Sequence, residues 1–145
     1  MRMAIRIILV LCGSALVVLS LLLIRNWLIE HYVHAWKEGK DTSAVRWIAP
    51  LAYLGDPEAQ CHLAWAYAIG TVDIQDDEKA IYWFRRCGPP IGMTRNEKVD
   101  AVALNAVWVA KEYASRHDVN ACMRWLKRAI DGGVPEALNE SCRQP

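Results

Sequence analysis

The sequence predicts an all-α chain in which one membrane-crossing helix precedes a short stack of antiparallel helix pairs. Three observations predict it. An uncharged apolar run lies near the amino terminus. A pattern of tryptophan, glycine and Pro-Glu-Ala recurs at a fixed offset, and helix start and stop signals are spaced for pairs of short helices. The 145 residues suffice for one ordinary domain beside a membrane segment. A net charge of +1 with no basic stripe gives no footprint for nucleic acid.

From Ile7 to Ile24 the chain reads IILVLCGSALVVLSLLLI, eighteen residues without a charge. A helix of that length spans about 27 Å, close to the roughly 30 Å hydrocarbon core. Arg2 and Arg6 precede the run, Arg25 follows it, and Trp27, Tyr32 and Trp36 stand where amphipathic rings favour the interface. A cleaved signal peptide is the competing reading. Against it, the run exceeds a typical signal core and no small-x-small cleavage site follows. Cys12 lacks the small preceding residues that lipoprotein processing needs, because Leu9, Val10 and Leu11 stand there. The expectation is therefore an anchor over 7–24, with residues 1–6 cytoplasmic by virtue of Arg2 and Arg6, although Arg25 and Lys37 partly balance them. Residues 25–42 are expected to continue as a juxtamembrane helix that docks the following domain on the membrane. Ser43 then caps the next helix.

Beyond residue 43, Trp47, Trp83 and Trp125 each sit mid-way along a helical pattern. Between the first and third the register agrees throughout. Arg46 matches Arg124, Gly55 matches Gly133, and Pro57-Glu58-Ala59 matches Pro135-Glu136-Ala137, all offset by 78. The unit is about 36 residues, and one insertion within Gly88–Arg95 lengthens the second. Each unit reads as two helices. Asp56 caps the first, with Pro57 at its first position, and Gly70 stops it. The next starts near Asp76 or Asp77 and ends at Cys87, where Gly88-Pro89-Pro90 forbids continuation. Ala59, Leu63, Ala64 and Tyr67 form one apolar face, and Ala80, Trp83 and Phe84 the face apposed to it. The three tryptophans are expected to be equivalent anchors in successive two-helix units.

These residues resemble the Sel1-like repeat, a relative of the tetratricopeptide repeat. The family's Ala, Leu-Gly, Tyr and Gly positions appear as Ala59, Leu63-Ala64, Tyr67 and Gly70, and its later Asp, Ala and Trp as Asp76, Ala80 and Trp83. The sequence departs from it at Gly70-Thr71-Val72. The second unit is looser, with Asn105 at the Leu position and Val109 at the Tyr position. The resemblance covers residues 43–145 and implies an α-solenoid that serves as a protein-binding adaptor or scaffold. The leading expectation is a bacterial inner-membrane protein whose repeat domain is periplasmic, from the charge asymmetry about the apolar run and from its cysteine pairs. Envelope assembly, or an immunity or inhibitor role, would suit such an adaptor. A structural accessory subunit of a membrane complex is the alternative, and an uncovered solenoid end would invite homo-oligomerisation.

Four cysteines lie outside the apolar run. The midpoint of Cys61 and Cys87 falls at residue 74 and that of Cys122 and Cys142 at residue 132, both within predicted turns. Positions equidistant from the loop of an antiparallel pair face each other, so each pair meets one condition for a disulfide. The bridges Cys61–Cys87 and Cys122–Cys142 are expected, in an oxidising compartment. The alternative is that cysteine simply replaces alanine at packed positions.

Catalysis, cofactor and metal are not expected. His62 and His117 lie on different helix pairs, and His31 and His34 stand at i, i+3 without a third ligand. Cys61 and His62 are helical neighbours that point about 100° apart, so they do not make a nucleophile and base. No Gly-x-Ser-x-Gly or phosphate-binding glycine pattern occurs. The expected function rests on a surface: His62, Trp65 and Ile69 lie off the core face of their helix, and Trp108 stands one place before the Tyr67 equivalent. Large apolar residues so placed mark a partner site. The competing reading has Trp65 or Trp108 packed between neighbouring units.

Overall fold

The structure, a computed structural model, describes residues 2–37, 45–70, 74–89, 99–135, 137 and 142. The described residues are helical throughout their regular structure, without a strand. The helices are α1 (Arg2–Lys37), α2 (Val45–Tyr53), α3 (Pro57–Ile69), α4 (Asp77–Cys87), α5 (Ala101–Ser115) and α6 (Val119–Asp131). The chain divides into two compact units, Met1–Trp47 and Ile48–Pro145.

In the first unit α1 runs for 36 residues without a break, so the apolar run and the juxtamembrane segment are one helix as far as Lys37. The part Val10–Ala35 is long and apolar enough to cross a membrane, with a mean hydropathy of 1.9. Its apolar side chains point outward: Val10 is 70% exposed and Leu16 64%. Ser14 and Ser20 turn their hydroxyls onto the carbonyls of Leu11 and Leu16, at 2.9 and 2.8 Å. Polar groups satisfied within the helix are compatible with an apolar surrounding. The expected end of the juxtamembrane helix at residue 42 and the Ser43 cap lie outside the described residues.

The second unit is built from helices with strong local start signals. Asp56, Asp76, Asp100 and Asp118 cap α3 to α6, their carboxylates accepting from the N–H groups of Ala59, Lys79, Val102 and Ala121. Each cap satisfies a donor that the first helical turn would otherwise leave unpaired. α3 and α4 pack antiparallel. At one end Asp76 N–H donates to the Tyr67 carbonyl, and at the other Cys61 meets Cys87. α5 and α6 repeat the arrangement, closed by Asp118 N–H to Tyr113 at one end and Asp100 N–H to Gly132 at the other. Small residues allow the close approach: Ala59, Ala64, Ala80, Ala106 and Ala121 are fully or almost fully buried. At Gly132 an added Cβ would meet that of Ala103 at 2.4 Å.

The 78-residue offset reappears in the backbone. After α2, N–H groups of Leu54, Gly55 and Asp56 donate to the carbonyls of Pro50, Ala52 and Leu51. After α6, Gly132, Gly133 and Val134 donate to Arg128, Ile130 and Ala129, each pair shifted by the same offset. Gly55 and Gly133 both adopt positive φ, 95° and 94°. That left-handed residue suits glycine because a side chain would strain it.

The tryptophans correct one expectation. Trp83 and Trp125 are buried, 3% and 0% exposed, whereas Trp47 is 46% exposed. They are therefore not three equivalent core anchors. α2 buries Ile48 and Ala52 and turns Trp47 away from that face.

The two helix pairs are joined by the buried edge-to-face contact of Phe84 with Trp125, centroids 6.3 Å apart, and by a set of polar bonds. Tyr113 of α5 donates to the Ala68 carbonyl at 2.6 Å, and Arg116 to the Ile69 carbonyl at 2.7 Å. Two carbonyls left over at the end of α3 thus find donors on α5. Gln75 donates to the same Tyr113 hydroxyl. The side-chain amide of Asn105 reaches the Gly88 carbonyl at 3.1 Å, and Asp77 faces Arg124 and Arg128 of α6 at 3.9 and 3.6 Å.

Candidate functional site: an aromatic cleft

The carboxyl ends of α2 and α3 and one face of α4 enclose an open cleft of about 330 Å³, lined by Tyr53, Tyr67, Glu78, Lys79, Tyr82 and Trp83. Helical spacing creates its α4 wall. Lys79, Tyr82, Trp83 and Arg86 recur at i, i+3, i+4 and i+7, while Ala80 and Phe84 face the core. Trp83 forms the floor. Tyr53 and Tyr82 each meet it edge-to-face with centroids 5.0 Å apart. Tyr53 itself is 73% exposed, Tyr82 45%, and the neighbouring Leu54 85%.

Two cations organise the rings. Arg86 lies 3.5 Å over the Tyr82 centroid and 5.9 Å from that of Trp83. Lys79 sits 5.4 Å from the Tyr67 centroid and 3.0 Å from the Asp76 carboxylate. The backbone N–H of Lys79, followed by its ammonium, holds the Asp76 carboxyl below its ordinary value, and Asp76 in turn holds Lys79 above its own. The outcome is an aromatic surface with bound positive charge and an exposed tyrosine on each side. Such a surface gives contact area at low entropic cost and offers hydroxyls for hydrogen bonds.

Of the residues expected from sequence to form the binding face, His62, Trp65 and Ile69 lie on α3 and Trp108 on α5. Ile69 is withdrawn from that face, being only 7% exposed at the end of α3 that α5 covers. Trp65 is half-buried and packs edge-to-face on Phe84 at 5.9 Å, which ties it to the core. His62 is also half-buried. Desolvation pulls its pKa below the ordinary value, partly opposed by Glu58 and Asp56. Trp108 remains on the surface, 48% exposed, with Lys111 5.6 Å from its ring centre.

Tyr53 and Tyr82 were missed by sequence reasoning and Tyr67 was assigned wholly to the core, although it is half-buried at the cleft. The Lys79, Tyr82, Arg86 spacing beside Trp83 was a readable signal on α4. Nothing local connects Tyr53 to it.

Both cysteine pairs stand at bonding distance, Cys61–Cys87 with Cα atoms 5.1 Å apart and Cys122–Cys142 with 5.7 Å, as disulfide geometry requires. Among the described residues no three His, Cys, Asp or Glu side chains converge as metal ligands. No family model, curated protein or solved structure matches the chain.

Proposed function

We propose that the chain is a membrane-anchored adaptor that holds a protein partner on the aromatic cleft of its second unit. The observation that carries this reading is the exposure of Tyr53, Tyr82 and Leu54 around a buried tryptophan floor. Exposed aromatic side chains over a packed floor are the usual centre of a binding site. The repeated capping turn supports the Sel1-like, short-solenoid reading. Two disulfides favour an oxidising compartment. Together with Arg2 and Arg6 ahead of a single apolar helix, this suits a bacterial inner-membrane protein whose second unit faces the periplasm. An immunity or inhibitor role is one form of this function, and catalysis is not part of it.

The test is crosslinking in native membranes with full-length chain carrying Tyr53→Ala or Tyr82→Ala. Truncating an exposed aromatic anchor is expected to reduce the crosslinked species about tenfold, the effect of roughly 1.4 kcal/mol, while the thermal midpoint stays put. An unchanged crosslinking pattern in both variants would sink the cleft as the binding surface.

A second reading, a constitutive structural subunit of a membrane complex, draws on a different face. Trp108 on α5, with Val119 and Met123 one turn apart on α6, leaves large apolar groups 48%, 40% and 56% exposed. If Trp108→Ala and Met123→Ala abolished co-purification while both tyrosine variants retained it, this reading would replace the first.

A further inference from the structure

We propose that Trp47 is a second membrane anchor: α2 starts in the headgroup layer, with Trp47 and Trp27 forming one interfacial aromatic patch. The proposal rests on the reading that α1 spans the bilayer. Trp27 stands three residues past Ile24, where the apolar run ends, a rise of about 4.5 Å along the helix. Its indole is 58% exposed and stacks on His31 one turn further on, with centroids 5.2 Å apart and planes 10° from parallel. His31 meets Trp47 edge-to-face at 6.2 Å. The two indoles therefore lie at most about 11.4 Å apart, linked through an exposed imidazole at the exit of the apolar helix.

Three features select lipid as the occupant. The patch continues directly from an apolar helix long enough to cross a membrane. The polar layer of a bilayer leaflet is about 5–8 Å thick, so Trp27 falls within it, and His31, about 10.5 Å past the run, stands at its outer edge with Trp47 beside it. Tryptophan is the residue most suited to that layer, with an apolar body and one N–H donor, and Arg25 and Arg46 next to the two indoles match lipid phosphates. The proposal also accounts for the departure of Trp47 from its register partners. An indole buried to 3% and 0% at Trp83 and Trp125 is left 46% exposed at Trp47, where the bilayer interface replaces the protein core.

The experiment uses the full chain in phosphatidylcholine vesicles brominated either high or low on the acyl chain. Wild type is compared with Trp27→Phe and Trp47→Phe. With bromine high on the chain, each substitution is expected to remove a clear part of the quenched emission, which comes from the indoles at the bilayer and not from buried Trp83 and Trp125. With bromine low on the chain, Trp47→Phe is expected to change nothing. If Trp27→Phe lowers shallow quenching and Trp47→Phe does not, α1 spans but α2 stands clear of the lipid, and the proposal is overturned alone. If neither variant matters and alkaline washing releases the chain, the spanning reading falls and takes this one with it. A marked drop in the melting temperature of Trp47→Phe in detergent would make Trp47 a core residue and likewise overturn the proposal.

Discussion

At the scale of single residues, Asn105 shows how a mismatch to a repeat can be a structural requirement. The pattern wants leucine there, as Leu63 provides in the preceding unit. Yet Asn105 is 2% exposed, and its amide donates to the carbonyls of Gly88 and Ala101, at 3.1 and 2.8 Å. Gly88 ends α4 at a positive φ of 86°, and its buried carbonyl receives this bond from α5. Asn105→Leu should therefore destabilise the domain although it restores the repeat pattern. A buried carbonyl left unpaired costs about 1–3 kcal/mol. Chemical denaturation of the two proteins checks it, and a leucine variant of equal or greater stability would show that the bond is dispensable. His62 offers a second test. Its pKa is depressed in the folded state, so the unfolded chain takes up a proton first as pH falls. Stability is full above the unfolded value near 6.5 and declines on acidification below it. His62→Gln should flatten the loss of stability between pH 7 and 5; a wild-type profile no steeper than that of the variant would contradict the assignment.

At the scale of elements, the two disulfides differ in access: Cys61–Cys87 ties α3 to α4, and Cys122–Cys142 ties α6 to the chain beyond it. Cys122 and Cys142 are 2% and 7% exposed, whereas Cys61 and Cys87 are half-buried. A thiolate must reach a sulfur atom to exchange with it. Limited reduction of the native chain should thus open Cys61–Cys87 before Cys122–Cys142, as differential alkylation and peptide mass would reveal. The reverse order, or four thiols alkylated in native material, would contradict this. Loops of this length make each bridge worth about 3–4 kcal/mol in the chain-entropy description, so replacing Cys61 and Cys87 by serine should lower the thermal midpoint clearly. The helix ends themselves were readable. Asp56, Pro57, Asp76 and Gly88 act locally, and their capping does not depend on what packs nearby.

For the whole molecule, the sequence by itself determined the elements: a long apolar helix, capped short helices, antiparallel pairs, and the register that makes Gly55 answer Gly133. These follow from side-chain periodicity and capping chemistry, which act over a few residues. Cysteine pairing was legible too, because equal distance from a turn is a one-dimensional property. Tertiary structure alone decided which apolar residues became core and which became surface. Trp47 and Trp125 share a register and differ in burial; Ile69 vanished under α5; Tyr53 joined Tyr82 from nearly thirty residues away. The bonds that fix one pair on the next run from Tyr113, Arg116 and Asn105 to backbone carbonyls, which have no signature in sequence. Burial depends on what lies across a helix face, and that neighbour is chosen only when the pairs pack.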